Sequence, residues 1–190
     1  QLSTSTMLVR DFMQKSLYDP SLGYFTTKDV IIAPEGSSDP VPLPFSTFKG
    51  EYDYRQTIAR LYEKNLGKWM TPVEIFAPYY SMALANYILE ARKSSELRII
   101  EIGGGRGTNM LHLLNHIQSI RSDVYKQTHV TLVEISPRLS AYQRRTLAPH
   151  ADKCTFIECS AHEIAKYHNN VGNAEVFVIM MEVLDNMAHD

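Results

Sequence analysis

The chain has 190 residues, 44% hydrophobic and 21% charged, a balance that suits one ordinary globular domain with an extension rather than two full domains. A formal net charge of −2 gives no electrostatic footing for nucleic acid, and no apolar run approaches the ~20 residues of a membrane span. Cys154 and Cys159 are too few for a disulfide framework and lack the spacing of a zinc site, so no metal is expected and both are read as small apolar groups in or near a strand.

Taken in order, residues 4–17 set Leu8, Val9, Phe12, Met13 and Leu17 on one face of a helix. Tyr18-Asp-Pro20 stops it, and Ser21-Leu-Gly23 turns into the aromatic run Tyr24-Phe-Thr-Thr27. Residues 33–50, rich in proline and serine, read as an irregular loop, with an amphipathic helix following at about 53–66. Thr71-Pro72 starts a further helix, with the threonine hydroxyl as its cap. Pro78 interrupts, and a second helix runs over about 79–93. Residues 1–94 thus form a helical N-terminal extension.

From 95 to 190 the pattern changes to strands alternating with helices, which predicts an α/β fold with a parallel, doubly wound sheet. The expected strands are 97–102, 129–135, 154–158 and 175–181; the expected helices are 109–120, about 137–147 and about 161–167. A sheet truncated after its fourth strand would expose an apolar edge, so a further segment or a second polypeptide is expected to complete it.

The glycine run Glu101-Ile-Gly-Gly-Gly-Arg-Gly-Thr108 follows the first strand and opens a helix. Gly103 allows a sharp exit from the strand, while Gly105 and Gly107 remove side chains where a ligand approaches backbone. The spacing is GxGxG, because Thr108 stands where a dinucleotide fingerprint wants glycine. This disfavours a nicotinamide cofactor and points to S-adenosylmethionine. Glu101 at the strand end suits the ammonium of that cofactor's methionine moiety. Glu134, ending the second strand, offers two acceptor oxygens to a ribose diol. Ser160 and Ala161, after the third strand, fall where an adenine ring would lie, with Glu158 or Ser160 as acceptor for its amine.

After the fourth strand, Glu182, Asp185 and Asn186 are expected to face the site of methyl transfer, where carboxylates would orient a cationic nucleophile and take its proton. Tyr18, Tyr24 and Phe25 form either an aromatic wall over the cofactor or, the commoner fate, core packing. Tyr79-Tyr80 is read as core.

These residues together resemble the MidA-like methyltransferase family. Tyr18-Asp-Pro-Ser-Leu-Gly-Tyr-Phe-Thr-Thr27 is similar to its YDPxxGYYTT segment, and Ala33-Pro-Glu35 echoes its TAPE landmark. Glu101 through Thr108 is similar to E(I/L)GPGRGT, Leu132-Val-Glu-Ile-Ser136 to LVExS, and Glu182-Val-Leu-Asp185 to ExLD. The departures are Gly104 in place of proline, Met181 in place of asparagine or histidine, and Asn186-Met-Ala188 after the acid. The resemblance implies a class I (Rossmann-like) methyltransferase that binds S-adenosylmethionine through Glu101, Gly103, Gly105, Gly107, Thr108, Glu134, Ser160 and Ala161. It also implies catalysis by Glu182 and Asp185 on an arginine of a partner protein, in mitochondria. The alternative expectation is a catalytically inactive structural subunit or assembly factor built on the same fold.

Overall fold

A computed structural model describes residues 6–28, 31, 43–166 and 175–189. The extension holds α1 (Val9–Tyr18), α2 (Tyr24–Thr27), α3 (Glu51–Lys64), α4 (Pro72–Ile75) and α5 (Tyr79–Ala91). The alternating half then runs β1 (Leu97–Ile102), α6 (Thr108–Ile120), α7 (Ser122–Lys126), β2 (Thr128–Glu134), α8 (Pro137–Thr146), β3 (Cys154–Glu158) and β4 (Val176–Ile179). All four strands are parallel, in the order β3-β2-β1-β4. The chain steps outward from β1 to β3 and then returns to the other side of β1. The strand order therefore reverses between β1 and β4, the place where a doubly wound sheet opens a ligand crevice.

Side-chain alternation in β1 sends Leu97 and Ile99 to one face and Ile100 and Ile102 to the other. The first face meets α5 and α6 in the main core, built from Ala85, Ile88, Met110, Leu113, Leu114 and Ile117 with Val130 and Leu132 of β2. The second face carries a smaller cluster in which Ala161 and Ile164, from the 3-10 turn Ala161–Lys166, pack on Ile100, Ile102 and Val133. At the base of the main core His150 is buried between Tyr125 and Asn115, at 2.7 and 3.0 Å. Burial holds its pKa down, and its two ring nitrogens meet the Tyr125 hydroxyl and the Asn115 amide oxygen.

Several sequence expectations are corrected here. Helix α1 begins at Val9; on its apolar face Leu8, Val9 and Phe12 are more than half exposed, while Met13 and Leu17 are half-buried. Helical periodicity records amphipathicity but not what covers the stripe. The Tyr24–Thr27 run, to which the sequence reading gave no element, is a helical turn whose Thr26 and Thr27 hydroxyls both donate to the Gly23 carbonyl. Thr71 caps nothing through its own oxygen; it donates instead to the Glu74 carboxylate. Tyr79, the first residue of α5, is exposed rather than core. The short helix α7 and the 3-10 turn Ala148–Lys153 have no counterpart in the sequence reading. Of the proline-rich stretch, residues 43–50 are described, with Leu43 packing against Met70; Ala33-Pro-Glu35 lies outside the described residues.

Leu113 is fully buried between α6 and the sheet. Leu113→Ala is expected to cost about 2–5 kcal/mol, read as a lower urea midpoint at unchanged m-value. A loss under about 1 kcal/mol would contradict the placement of this core.

Candidate active site

The same alternation that builds the core also builds the site. Glu101 continues the row Leu97-Ile99, and Glu134 continues Val130-Leu132, so both acids end an apolar row on the helix-covered face. Glu101 is 3% exposed and Glu134 5% exposed. Oε1 of Glu101 accepts from Asn109 Nδ2 at 2.7 Å, whereas Oε2 is buried and has no hydrogen-bond partner among the described residues. In Glu134, Oε1 accepts the Ser136 N–H at 2.9 Å, and Gln143 Nε2 stands 3.4 Å from Oε2. Each oxygen of Glu134 keeps a lone pair for a ligand hydroxyl.

Burial pushes the Glu101 carboxyl up to about 7; the Asn109 hydrogen bond opposes the rise and the charge of Glu74 adds to it. Burial also lifts Glu134 to about 7, against the backbone N–H groups of Ser136 and Ile135 and with the charge of Glu101. A carboxylate is costly to hold away from water unless a cation or donors compensate it.

The glycine loop lies against these acids. Gly103, Gly105 and Gly107 all adopt positive φ, at 69°, 55° and 87°, where a side chain is strained. Their neighbours refine the expected roles. A Cβ at Gly105 would come 2.7 Å from Ile31, and one at Gly107 would press on the backbone of Gln143 in α8. Gly107 thus serves helix packing, and neither it nor Thr108 lines the cavity, which takes in Gly103, Gly104 and Gly105. At Gly104 a Cβ would stand 2.8 Å from Glu101 Oε2, so glycine in place of the family's proline leaves that carboxylate its room.

The cavity runs over the carboxyl ends of β1, β2 and β4. Ser160 and Ala161 line it, together with Ile135 and Leu139. Glu158 does not. It pairs in register with Glu134 beneath α8, where it accepts the Ser140 hydroxyl at 2.9 Å and faces Arg144 at 3.7 Å. Glu182 lines the mouth with φ at 53°, a left-handed conformation that costs a non-glycine residue about 1 kcal/mol or more. Asn186 also lines it, but Asp185 is exposed and stands outside the lining. Consecutive side chains of a 3-10 turn diverge by about 120°, so Leu184–Asn186 cannot aim both residues inward.

The extension supplies the remaining wall. Tyr18 and Phe25 stack at 5.7 Å and line the cavity; Tyr24 packs edge-on against Trp69 behind them. The Tyr18 hydroxyl donates to the Asn186 carbonyl at 2.7 Å, latching the extension to the turn after β4. Sequence reading missed Trp69, Ile31 and Glu74, all three in the lining. Only Glu74 carried a signal, an acid inside the apolar segment Val73-Glu-Ile-Phe76.

The cavity fits the cofactor expected from the glycine run. It offers an unpartnered buried carboxylate oxygen at the loop, a second acid at the next strand end, and a small apolar turn at the third. Without a ligand, Glu101 costs stability. Its folded pKa of about 7 exceeds the ordinary 4.5, so stability is full below about 4.5 and falls as pH rises through 7. Glu101→Gln is expected to match the parent's stability at pH 4 and to exceed it at pH 8, by up to about 3 kcal/mol. Equal melting at pH 8 would contradict the burial of this acid.

Comparisons with known proteins agree with this geometry. The family model described as "Putative S-adenosyl-L-methionine-dependent methyltransferase" matches residues 83–190. The chain is similar to the mitochondrial protein arginine methyltransferase NDUFAF7 of Danio rerio, 24% identical over 77% of this chain and 28% of the relative. The Mus musculus NDUFAF7 is 26% identical over 77% and 27%. The chain therefore spans little more than a quarter of the length of these curated relatives. Two solved structures from Burkholderia thailandensis share the fold. One, an uncharacterized superfamily protein, has TM-score 0.56 at 20% identity, covering 96% of this chain and 36% of that one. The other, a superfamily member bound to S-adenosyl-homocysteine, has TM-score 0.54 at 19% identity over 80% and 33%. With the family model covering more than half of it, the chain belongs to this family of S-adenosyl-L-methionine-dependent methyltransferases.

Proposed function

We propose that this chain carries the cofactor-binding part of a methyltransferase that modifies an arginine of a partner protein in mitochondria. One observation supports the reading above the others: Glu101 and Glu134 end adjacent parallel strands as buried acids in one cavity, with Glu101 Oε2 unpartnered among the described residues. The finer terms, arginine and mitochondria, draw on the names of the NDUFAF7 relatives.

When bound, S-adenosylmethionine would supply a methyl group on a sulfonium whose sulfur departs as a neutral thioether without acid assistance. The residues of this chain then have mainly to bind, orient and exclude water. Glu101 would hold the amino-acid end, Glu134 the ribose, and Ser160 with Ala161 the base. Glu182, at the cavity mouth, would align a guanidinium through two charge-assisted hydrogen bonds and accept the proton it sheds. Tyr18 and Phe25 would screen the site from bulk water.

A second reading, a non-catalytic subunit or assembly factor, has one observation in its favour. Val178, Met181 and Leu184 are exposed along and just beyond β4, an apolar surface suited to a neighbouring polypeptide.

The two readings part in a methyl-transfer assay on arginine-rich peptides with methyl-labelled cofactor, followed by amino-acid analysis for methylarginine. The enzyme reading expects methylarginine, formed at least about tenfold more slowly by Glu182→Gln with S-adenosylhomocysteine binding unchanged. Cofactor binding without transfer by the full-length protein would favour the scaffold.

A further inference from the structure

Glu74 is the buried titratable group that the reading above leaves without a role. It sits in α4, is 3% exposed, and lines the same cavity as Glu101. Both acids are buried in the wall of that one cavity, and the charge of Glu74 adds to the rise in the Glu101 pKa. One oxygen of Glu74 takes the Thr71 hydroxyl, yet burial still dominates and raises its pKa. A capping role alone would leave such an acid at the surface, because the first turn of a helix is served equally well by a solvated carboxylate. Here α4 is pressed against α6 and the acid points into a cavity.

The charge balance of that cavity is one-sided. Among the described residues its lining holds Glu74, Glu101, Glu134 and Glu182, a single histidine, His162, and no lysine or arginine. Arg106, within the glycine loop, stacks over the Tyr142 ring at 4.0 Å and is not part of the lining. Glu101 adds a buried oxygen with no hydrogen-bond partner among the described residues. The described residues contain no grouping of three His, Cys, Asp or Glu able to hold a metal ion. A primary ammonium is a compact charge with three donors, enough to serve two carboxylates at once.

We infer that Glu74 is a further cofactor-binding residue, which pairs with Glu101 to receive the ammonium of the cofactor's amino-acid end. The segment before β1 then completes the cofactor site instead of merely covering it. This inference rests on the cofactor reading above.

Two ligands separate the possibilities. S-adenosylhomocysteine and 5′-methylthioadenosine share adenosine and a thioether, but only the first carries an ammonium. Calorimetry on the full chain is expected to show Glu74→Gln weakening S-adenosylhomocysteine by at least about tenfold. The same variant should change 5′-methylthioadenosine by less than about twofold, which also shows the pocket to be intact. Glu74→Asp, keeping the charge one methylene further back, should fall between parent and Glu74→Gln for the first ligand alone. Equal losses for both ligands would make Glu74 a structural residue and overturn the inference. So would S-adenosylhomocysteine binding at parental strength in Glu74→Gln, while the cofactor reading would stand. If the folded parent binds neither ligand, the cofactor reading fails and the inference with it.

Discussion

Two carboxylates withdrawn from water, Glu101 and Glu134, constrain everything built around them. Each continues an apolar row that the sheet must bury to fold, so the row that makes the core also carries an acid under the helices. A buried acid without a counter-cation is expensive. The protein meets part of that cost with Asn109, the Ser136 N–H and Gln143, and lets both carboxyls hold their protons to about pH 7. The remainder is left open toward a cavity. Burying a cost that only a cationic, hydroxylated ligand can offset is how a binding site differs from a core.

The other features follow from keeping that cavity in place. Left-handed glycines bend the loop away from β1, and the absent side chain of Gly104 leaves the Glu101 carboxylate its position. Val183 lies over Gly103, where a Cβ would come 2.7 Å from it, so the turn after β4 and the loop after β1 close on each other. The extension is no separate accessory. Tyr18, Phe25, Trp69 and Glu74 all reach the cavity, and the Tyr18 hydroxyl ties α1 to the turn after β4.

Much of this was legible in the sequence, for reasons that can be named. β1 and β3 fall on the expected residues, and β2 and β4 within one or two, because runs such as Leu97-Arg-Ile-Ile-Glu-Ile102 declare themselves by β-branched content and flanking turns. Glycine spacing and strand-end acids foretold which loops would meet. What stayed hidden depended on tertiary placement. Glu158 and Glu134 are both acids at strand ends, and only the helix above them decides that one meets Ser140 and the other the cavity. Asp185 and Asn186 are neighbours in one tight turn, and its phase selects Asn186. The apolar stripe of α1 is real, yet Leu8, Val9 and Phe12 on it remain exposed. Glu74 and Trp69 lie far in sequence from the glycine loop, where no local pattern links them to it.

The most direct test of the central claim is calorimetric titration of S-adenosylmethionine into the full chain and into Glu134→Ala, both verified as folded. The account predicts micromolar binding by the parent and its loss in the variant, because the ribose would have no carboxylate left to meet. A folded parent that binds no S-adenosylmethionine, or a variant that binds as tightly as the parent, would contradict the assignment of these strand-end acids.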